Sequence, residues 1–215
     1  LGIIHIDLLV LTHFDADHVN GLSGALRNRT VSKALLTSFE DDRPGADFSR
    51  FLLDARKIQT FKSEQGLVGS LSRISWKVLS PTKTAAETED SNDGSITMLW
   101  RFKDFQLITL ADLGEKGQQR LASSIGTWWS EPNLPLVMKV SHHGSADQYP
   151  EFIEWLHPRL ALVSVGAYNG YGHPTARTLS TLNRAGATTL RTDQLGSISL
   201  SNQDGQFEVS YSGSS

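Results

Sequence analysis

The sequence predicts a mixed α/β fold in which sheets are covered by helices. Two observations support this class. Short apolar runs bounded by turn-forming residues alternate with stretches of helical periodicity, and two of the apolar runs are close enough to form a hairpin. Several predicted strands also end in side chains that carry chemistry. Residues far apart in the sequence are therefore expected to meet at one edge of the sheets.

The predicted elements follow from local patterns. In chain order they are a strand at 6–11, a helix at 19–26, a strand at 33–38, a helix at 48–58, strands at 74–79, 95–102 and 105–111, a helix at 115–125, a strand at 134–141, a helix at 150–156, a strand at 160–165, a helix at 175–185, and strands at 188–192, 197–200 and 207–211. The strands are apolar runs bounded by turn chemistry, and the helices show apolar spacing near 3.6 residues. A short Lys103-Asp104 turn makes the hairpin, and the polar stretch 81–94 is predicted as a long surface loop.

Composition limits the possible classes. The chain of 215 residues is long enough for a sizeable core, and we predict one domain over residues 1–215. It has no cysteine, which excludes disulfides, thiolate ligands and a cysteine nucleophile. The net charge is −3 and the cations form no run, which argues against tight non-specific DNA binding. No segment approaches the roughly 18 apolar residues of a membrane span. The start without methionine indicates a cut N-terminus, so the chain is expected to be a fragment.

The most informative motif is Leu-Thr-His-Phe-Asp-Ala-Asp-His-Val-Asn-Gly at 11–21. Two imidazoles and two carboxylates occupy six positions directly after an apolar strand, which is typical of a metal site. Alternate residues of an extended segment point the same way, so His13, Asp15 and Asp17 are expected to share one side. His18 joins them as the chain turns into a helix. A merely solvated polar loop is the alternative.

A second candidate is Asp112, which ends the strand 105–111. By itself it could be a helix N-cap. Together with the first motif, a carboxylate bridging two metal ions is the better interpretation. The pair His142 and His143 follows another strand. Adjacent residues point apart in a strand, so one of them is expected to bind metal, with His142 favoured, while the other orients it or contacts substrate.

His173 lies in the glycine-rich segment Asn-Gly-Tyr-Gly-His-Pro at 169–174. It is a candidate metal ligand, a proton donor to a leaving group, or a turn residue. Of the tryptophans, Trp128, Trp129 and Trp155 could stack on bases, although packing within the protein is the more common role.

These motifs together resemble the metallo-β-lactamase superfamily. The matching segments are Thr-His-Phe-Asp-Ala-Asp-His at 12–18, Ala-Asp-Leu at 111–113, Lys-Val-Ser-His-His-Gly-Ser at 139–145 and Tyr-Gly-His-Pro at 171–174. Within the superfamily the chain is most similar to the metallo-hydrolase domain of DNA-internalisation competence proteins of the ComEC type. The likeness runs from about residue 6 to residue 196.

The resemblance implies a four-layer αβ/βα sandwich with a two-metal site, and a nuclease that degrades one DNA strand during uptake. It implies two divalent ions, with Asp112 bridging, His13, Asp15, Asp17, His18 and His142 or His143 as ligands, and His173 protonating the departing oxygen or gripping the phosphate. Asp17 is expected to be essential for catalysis. Oxygen-rich donors favour manganese or magnesium relative to zinc, and Mn²⁺ or Zn²⁺ is expected here, with one of the two positions weakly held. If the chain is of the ComEC type, the domain is expected to be attached to a membrane-embedded region and to lie outside the cytoplasmic membrane. If it is not of this type, a cytoplasmic location is expected.

Four departures from the superfamily pattern stand out. Asp15 replaces a usual histidine, although the ComEC branch commonly has aspartate there. The third histidine motif, expected between residues 18 and 142, is missing. Ala111 replaces a glycine before the bridging aspartate. The opening strands are also absent, so part of one sheet is expected to be lost or the chain is a fragment.

Two other functions stay open from the sequence. A hydrolase of the same fold could act on a small phosphoester or another ester, and the lack of a basic run supports it. A non-catalytic binding module with a decayed site is the other, and the missing histidine motif supports it. If neither alternative holds, single-stranded DNA is the predicted substrate.

Overall fold

The chain divides into two compact units. A computed structural model describes residues 2–82, 90–124, 126, 129, 133–203 and 206–213. One unit comprises residues 1–67 and 78–97, and the other comprises residues 68–77 and 98–215. The sequence-based prediction of a single domain over residues 1–215 stays a prediction.

The first unit is built on a parallel three-stranded sheet in the order β1-β2-β3. Its strands are β1 (His5–Leu11), β2 (Thr30–Leu36) and β3 (Gln59–Lys62). The register places Leu11 opposite Leu36 at the carboxyl ends of the first two strands. The segment that follows β1 therefore begins at this edge of the sheet, and this segment carries the first predicted site motif.

In the part of this unit that the structure describes, the helices are α1 (Ala16–Val19), α2 (Leu22–Ala25) and α3 (Pro44–Ala55). The single helix predicted at 19–26 is wrong, because the chain leaves α1 at Asn20 and starts α2 after Gly21. The helix predicted at 48–58 starts earlier, with Pro44 in its first turn, where the missing N–H costs nothing. Apolar side chains of these elements form one core: Leu11, Phe14, Val19, Leu22, Leu26, Ala34, Leu36, Ala46 and Leu53.

The second unit is built on a seven-stranded sheet with the order β10-β9-β8-β7-β6-β5-β4. Its strands are β4 (Val68–Leu71), β5 (Ile74–Ser80), β6 (Thr97–Arg101), β7 (Gln106–Thr109), β8 (Leu136–Lys139), β9 (Leu160–Val163) and β10 (Thr188–Arg191). The ends of β5 and β6 cross the division between the units. Strands β7 to β10 are mutually parallel, whereas β6 pairs with β7 and β4 with β5 in antiparallel fashion.

This parallel segment positions the second set of candidate residues. Thr109 lies opposite Lys139 in the register of β7 and β8, and Lys139 lies opposite Leu162 in β9. The turns that follow β7, β8 and β9 therefore start side by side at one sheet edge. This is the arrangement that the sequence predicted for these three strands.

Among the described residues of the second unit, four α-helices and a hairpin accompany the sheet. They are α4 (Glu115–Ser123), α5 (Pro150–Leu156), α6 (Ala176–Arg184), α7 (Thr192–Leu195) and the antiparallel pair β11 (Ile198–Gln203) and β12 (Gln206–Tyr211). The Thr175 hydroxyl accepts a hydrogen bond from the Thr178 N–H and caps α6. Apolar side chains of the helices, including Leu121, Phe152 and Leu182, are buried. No helix among the residues described is both long and apolar enough to cross a bilayer.

Candidate functional site

The first motif, residues 13–18, leaves the carboxyl end of β1 and enters α1. Because α1 starts at Ala16, Asp17 lies in a helix and not in an extended segment. The alternation argument for His13, Asp15 and Asp17 therefore does not apply to Asp17. Asp15 occupies the N-cap position of α1, but its side chain makes no capping hydrogen bond.

The two histidines of this motif face each other. The ring centroids of His13 and His18 are 4.0 Å apart, and the His13 side chain is almost wholly buried. The His18 Nε2 atom lies 3.7 Å from Oδ2 of Asp17, whose side chain is exposed. His13, Asp17 and His18 thus offer two imidazoles and one carboxylate from a single short segment, a donor set that suits a divalent cation.

Asp15 is bound by a guanidinium. Its Oδ1 atom accepts a 2.6 Å hydrogen bond from Arg43 Nη2 and a 3.1 Å bond from the Ser91 hydroxyl. Arg43 also grips Asp41, whose side chain is only 1% exposed, through three hydrogen bonds. These bonds from Arg43 are the main reason that the pKa of Asp41 is lowered, and the pKa of Arg43 is raised in turn. A positive charge therefore already stands at the Asp15 carboxylate.

Asp112 of the second unit follows β7 and is buried, with its side chain 4% exposed. The preceding residue, Ala111, has a φ of +48°, the left-handed region that a glycine would occupy without strain. The alternative reading of Asp112 as a helix cap is wrong. Helix α4 starts at Glu115 with Gly114 at its N-cap position, and the Glu115 N–H donates a 3.1 Å bond to Oδ1 of Asp147.

The paired histidines lie in a tight turn, Ser141–Gly144, that follows β8. His142 and His143 both have left-handed φ values, +45° and +52°. The premise that they point apart as in a strand is therefore wrong, and both rings approach one carboxylate. The Nε2 atoms lie 3.9 Å and 3.5 Å, respectively, from Oδ2 of Asp112.

The hydrogen bond at the other side of the His143 ring defines its tautomer. His143 Nδ1 lies 2.7 Å from the Ser164 carbonyl oxygen, which can only accept. Nδ1 therefore carries the proton, and in the neutral ring Nε2 presents a lone pair towards Asp112. Two acceptor atoms at 3.5 Å repel one another unless a cation or a proton lies with them. A hydrogen bond from Nδ1–H to a main-chain carbonyl is typical of a histidine that binds a metal through Nε2.

His173 joins the same group. Its ring centroid is 5.8 Å from that of His142. Burial, followed by the proximity of His142 and His143, lowers the pKa of His173, whereas Asp112 opposes this effect. The Nδ1 atoms of His142 and His173 are both buried and have no hydrogen-bond partner among the described residues. A buried acceptor without a proton donor is a suitable position for a metal ion or for a polar group of a substrate.

A buried amide network supports this group, and the sequence reasoning did not find it. Gln118 donates to the Leu113 carbonyl and to Gln148, and accepts from the Tyr149 N–H. Gln148 donates to the Ser141 carbonyl. The Ser141 hydroxyl donates 2.8 Å to the Leu113 carbonyl. The network ties the Asp112 loop to the turn of the two histidines, and a polar residue on the buried face of α4 was its one sequence signal.

The first unit gathers cations that are scattered in the sequence. Arg27, Arg29 and Arg56 line one open pocket of about 670 Å³ at the amino ends of β1 and β2, together with Ile4, His5, Asn28 and Thr30. Arg29 and Arg56 also donate to main-chain carbonyls. The absence of a basic run in the sequence therefore does not exclude a local cluster of cations in the folded chain.

Two of the tryptophans named from the sequence contact each other. Trp155 is 54% exposed, and its ring meets Trp129 edge to face at 6.0 Å. Trp128 lies outside the described residues.

No protein-family model matches the chain. The chain is 30% identical to ComE operon protein 3 of Bacillus subtilis (strain 168), an alignment that covers 97% of the chain and 26% of that protein. It is 25% identical to competence protein ComA of Neisseria gonorrhoeae, over 92% of the chain and 25% of that protein. The chain therefore spans about a quarter of the curated relatives it matches.

Among solved structures, the chain is similar to the CmlA β-hydroxylase E377D mutant, with a TM-score of 0.55, 14% identity, and coverage of 87% of the chain and 43% of that structure. That protein has the metallo-β-lactamase fold, and the predicted fold class, mixed α/β and metallo-β-lactamase-like, is confirmed. Similarity in sequence connects the chain to competence proteins, whereas similarity in structure supports the fold alone.

Proposed function

We propose that this chain is a metal-dependent hydrolase that cleaves phosphodiester bonds in single-stranded DNA during DNA uptake. One observation carries the proposal. The buried Asp112 carboxylate and the lone pair of His143 Nε2 face each other at 3.5 Å, with His142 beside them, an arrangement that a divalent cation stabilises.

The residues of each unit fit such ions. Asp112, His142 and His143 in the second unit, and His13, Asp17 and His18 in the first, are nitrogen and oxygen donors without sulfur. Such donors suit Mn²⁺ or Zn²⁺, and the carboxylates favour Mn²⁺. When bound, divalent ions supply a nucleophile at neutral pH and neutralise the charge that develops on phosphorus. That Asp112 bridges two ions stays a prediction of the sequence.

The chain's own groups would prepare this chemistry. Ser164 holds the His143 ring in the tautomer that leaves Nε2 as a donor atom. The lowered pKa of His173 keeps its ring neutral at neutral pH, which suits it to accept a proton or to donate a hydrogen bond to a phosphate oxygen. Its proposed role as proton donor to the leaving oxygen requires that it first take up a proton during the reaction.

The sequence motif is the basis for proposing Asp15 as a metal ligand, and the cation beside its carboxylate makes this assignment important to test. The Arg43 guanidinium already neutralises the carboxylate. An Asp15→Asn variant that keeps its full metal content would remove Asp15 from the ligand set. An Asp17→Ala variant is expected to lose both bound metal and activity.

The decisive experiment measures metal content and DNA cleavage on the same preparations. We expect the purified chain, loaded with Mn²⁺ and dialysed, to retain at least one ion per chain by mass spectrometry and to cleave a 5′-labelled single strand. Asp112→Asn is expected to reduce both by at least about 100-fold. The matched control is His157→Asn, an exposed residue that we assign no role and whose left-handed backbone suits asparagine.

The outcomes separate the alternatives. Less than one ion per chain, with no cleavage, would indicate a decayed binding module. Cleavage of bis(p-nitrophenyl) phosphate without cleavage of DNA would indicate a small-molecule hydrolase. We also propose, from the resemblance of the sequence motifs and because the chain spans about a quarter of its curated relatives, that it works attached to a membrane-embedded region, outside the cytoplasmic membrane.

A further inference from the structure

Two tyrosine rings are exposed to solvent in the loop that precedes His173. Tyr168 is 98% exposed and Tyr171 is 86% exposed, the highest values among the large hydrophobic side chains described. Burying such a ring is favourable, so a ligand that covers either tyrosine would gain binding free energy. Both tyrosines lie in one short loop, residues 166–172, between β9 and the candidate site residue.

This loop is held in place by Asn169. The Asn169 amide donates to the Gly166 carbonyl at 3.1 Å and to the His173 carbonyl at 2.9 Å. Its oxygen accepts a 3.1 Å bond from the His173 N–H. The loop is thus tied at both ends, and the tyrosines are presented without a further ordering cost when a ligand arrives.

Tyr171 continues a series of rings that begins at the candidate metal ligands. Its ring is 6.0 Å from that of His173 and inclined by only 20°, and His173 is 5.8 Å from His142. A group that stacks on Tyr171 therefore lies next to the group of residues that would act on a phosphodiester. Two residues separate Tyr168 from Tyr171 within the same loop, so a second exposed ring follows closely along the chain.

The charges of the loop's own sequence are compatible with a polyanion. Residues 165–177 contain no aspartate or glutamate, and exposed Arg177 follows in the first turn of α6. A ligand with flat apolar faces and a phosphate backbone matches this surface. Single-stranded nucleic acid has such faces available, whereas a duplex keeps its bases stacked inside.

We infer that Tyr168 and Tyr171 form a base-stacking platform that binds single-stranded DNA next to His173 and sets the preference of the site for a polynucleotide. This inference rests on the proposed function, since it names how the same site recognises its substrate. Stacking accepts any base, so the platform would bind without sequence preference.

Binding in EDTA tests the platform independently of cleavage. Fluorescence anisotropy with a labelled dT15 strand is compared with an abasic deoxyribose-phosphate strand of the same length. Tyr171→Ala and Tyr168→Ala are each expected to weaken dT15 binding by about 5- to 100-fold, and to change abasic binding less than twofold. Tyr171→Phe, which keeps the ring, is expected to bind dT15 within twofold of the parent chain.

The matched control is Tyr211→Ala, which removes a 60% exposed ring from β12 and is expected to leave both affinities unchanged. The inference is overturned if the Tyr168→Ala, Tyr171→Ala double variant binds dT15 as tightly as the parent, or if the abasic strand loses the same factor. If the tyrosines carry dT15 binding but no metal-loaded preparation cleaves DNA, the hydrolase proposal fails and the platform stands.

Discussion

Arg43 Nη2 donates hydrogen bonds of 2.6 Å to both Asp15 and Asp41, and Arg43 Nε donates to Asp41 as well. One guanidinium thus pairs with two carboxylates, of which Asp41 is buried and Asp15 is partly exposed. In the sequence, Asp15 belongs to a ligand motif and Arg43 is an isolated cation. In the folded chain, this ion pair stabilises the segment that carries His13 and His18.

Arg43→Gln is expected to lower the free energy of unfolding by about 2 kcal/mol. The substitution removes the charge-assisted bonds and leaves the buried Asp41 carboxylate with only the weaker electrostatic attraction of Arg50, and both effects are costly. Urea unfolding in EDTA measures the change. Arg73→Gln, at an exposed arginine, is the control and should shift the midpoint very little. Equal midpoints for the two variants would contradict the structural role of Arg43.

The same ion pair makes stability depend on acid. Because Arg43 lowers the pKa of Asp41 in the folded chain, the stabilisation is present above the unfolded pKa of about 4 and is lost as the pH falls through the folded pKa. Unfolding midpoints at pH 7, 4 and 3 should therefore decrease less in Asp41→Asn than in the parent chain. Asp54→Asn, at an exposed position on α3, should follow the parent curve.

The strands that carry the site were predictable because their signals are local. Residues 6–11, 105–111 and 134–141 are apolar runs that end at polar turns, and the structure has β1, β7 and β8 there. Strands β3 and β4 were missed. Each has four residues that are mostly polar or exposed, so their pairing with β2 and β5 depends on the sheet and not on their own pattern.

The candidate residues could be named from the sequence, but not their geometry. Left-handed φ values at His142 and His143 turn both rings towards Asp112. Residues other than glycine rarely adopt such φ values, so the sequence does not predict them at a histidine pair. The bond from Arg43 to Asp15 joins residues 28 positions apart. Such long-range pairs follow from packing, which periodicity does not encode.

Ala111→Gly is expected to stabilise the chain by about 0.5 kcal/mol. At a φ of +48° alanine is strained by about 1 kcal/mol, and glycine recovers this but loses part of it through the greater entropy of the unfolded chain. Ala122→Gly, inside α4, should destabilise by a similar amount because its backbone is helical. Thermal unfolding compares the two, and a destabilised Ala111→Gly would show that no strain is stored there.

Ala111→Val is expected to be destabilised by more than 1 kcal/mol. A β-branched side chain tolerates positive φ poorly, and Ala111 is buried directly before Asp112. The same variant should bind less Mn²⁺, because its backbone would relax towards an ordinary φ and move the carboxylate. Unchanged metal binding in a destabilised protein would show that the backbone strain at Ala111 does not affect the position of the Asp112 carboxylate.

Gln118→Leu tests the buried amide network that connects the Asp112 loop with the turn of the paired histidines. The substitution nearly conserves volume but leaves the Leu113 carbonyl, the Gln148 amide oxygen and the Tyr149 N–H without this partner. Unsatisfied buried groups should lower the unfolding free energy by about 3 kcal/mol, and Mn²⁺ affinity should fall roughly tenfold as the Asp112 loop loses its support. Gln119→Leu changes the next residue of α4, which is exposed and bonds only Glu115 at 3.3 Å. If both variants bind Mn²⁺ equally, the network is a packing device, and the positions of Asp112 and His143 are maintained by their own backbones.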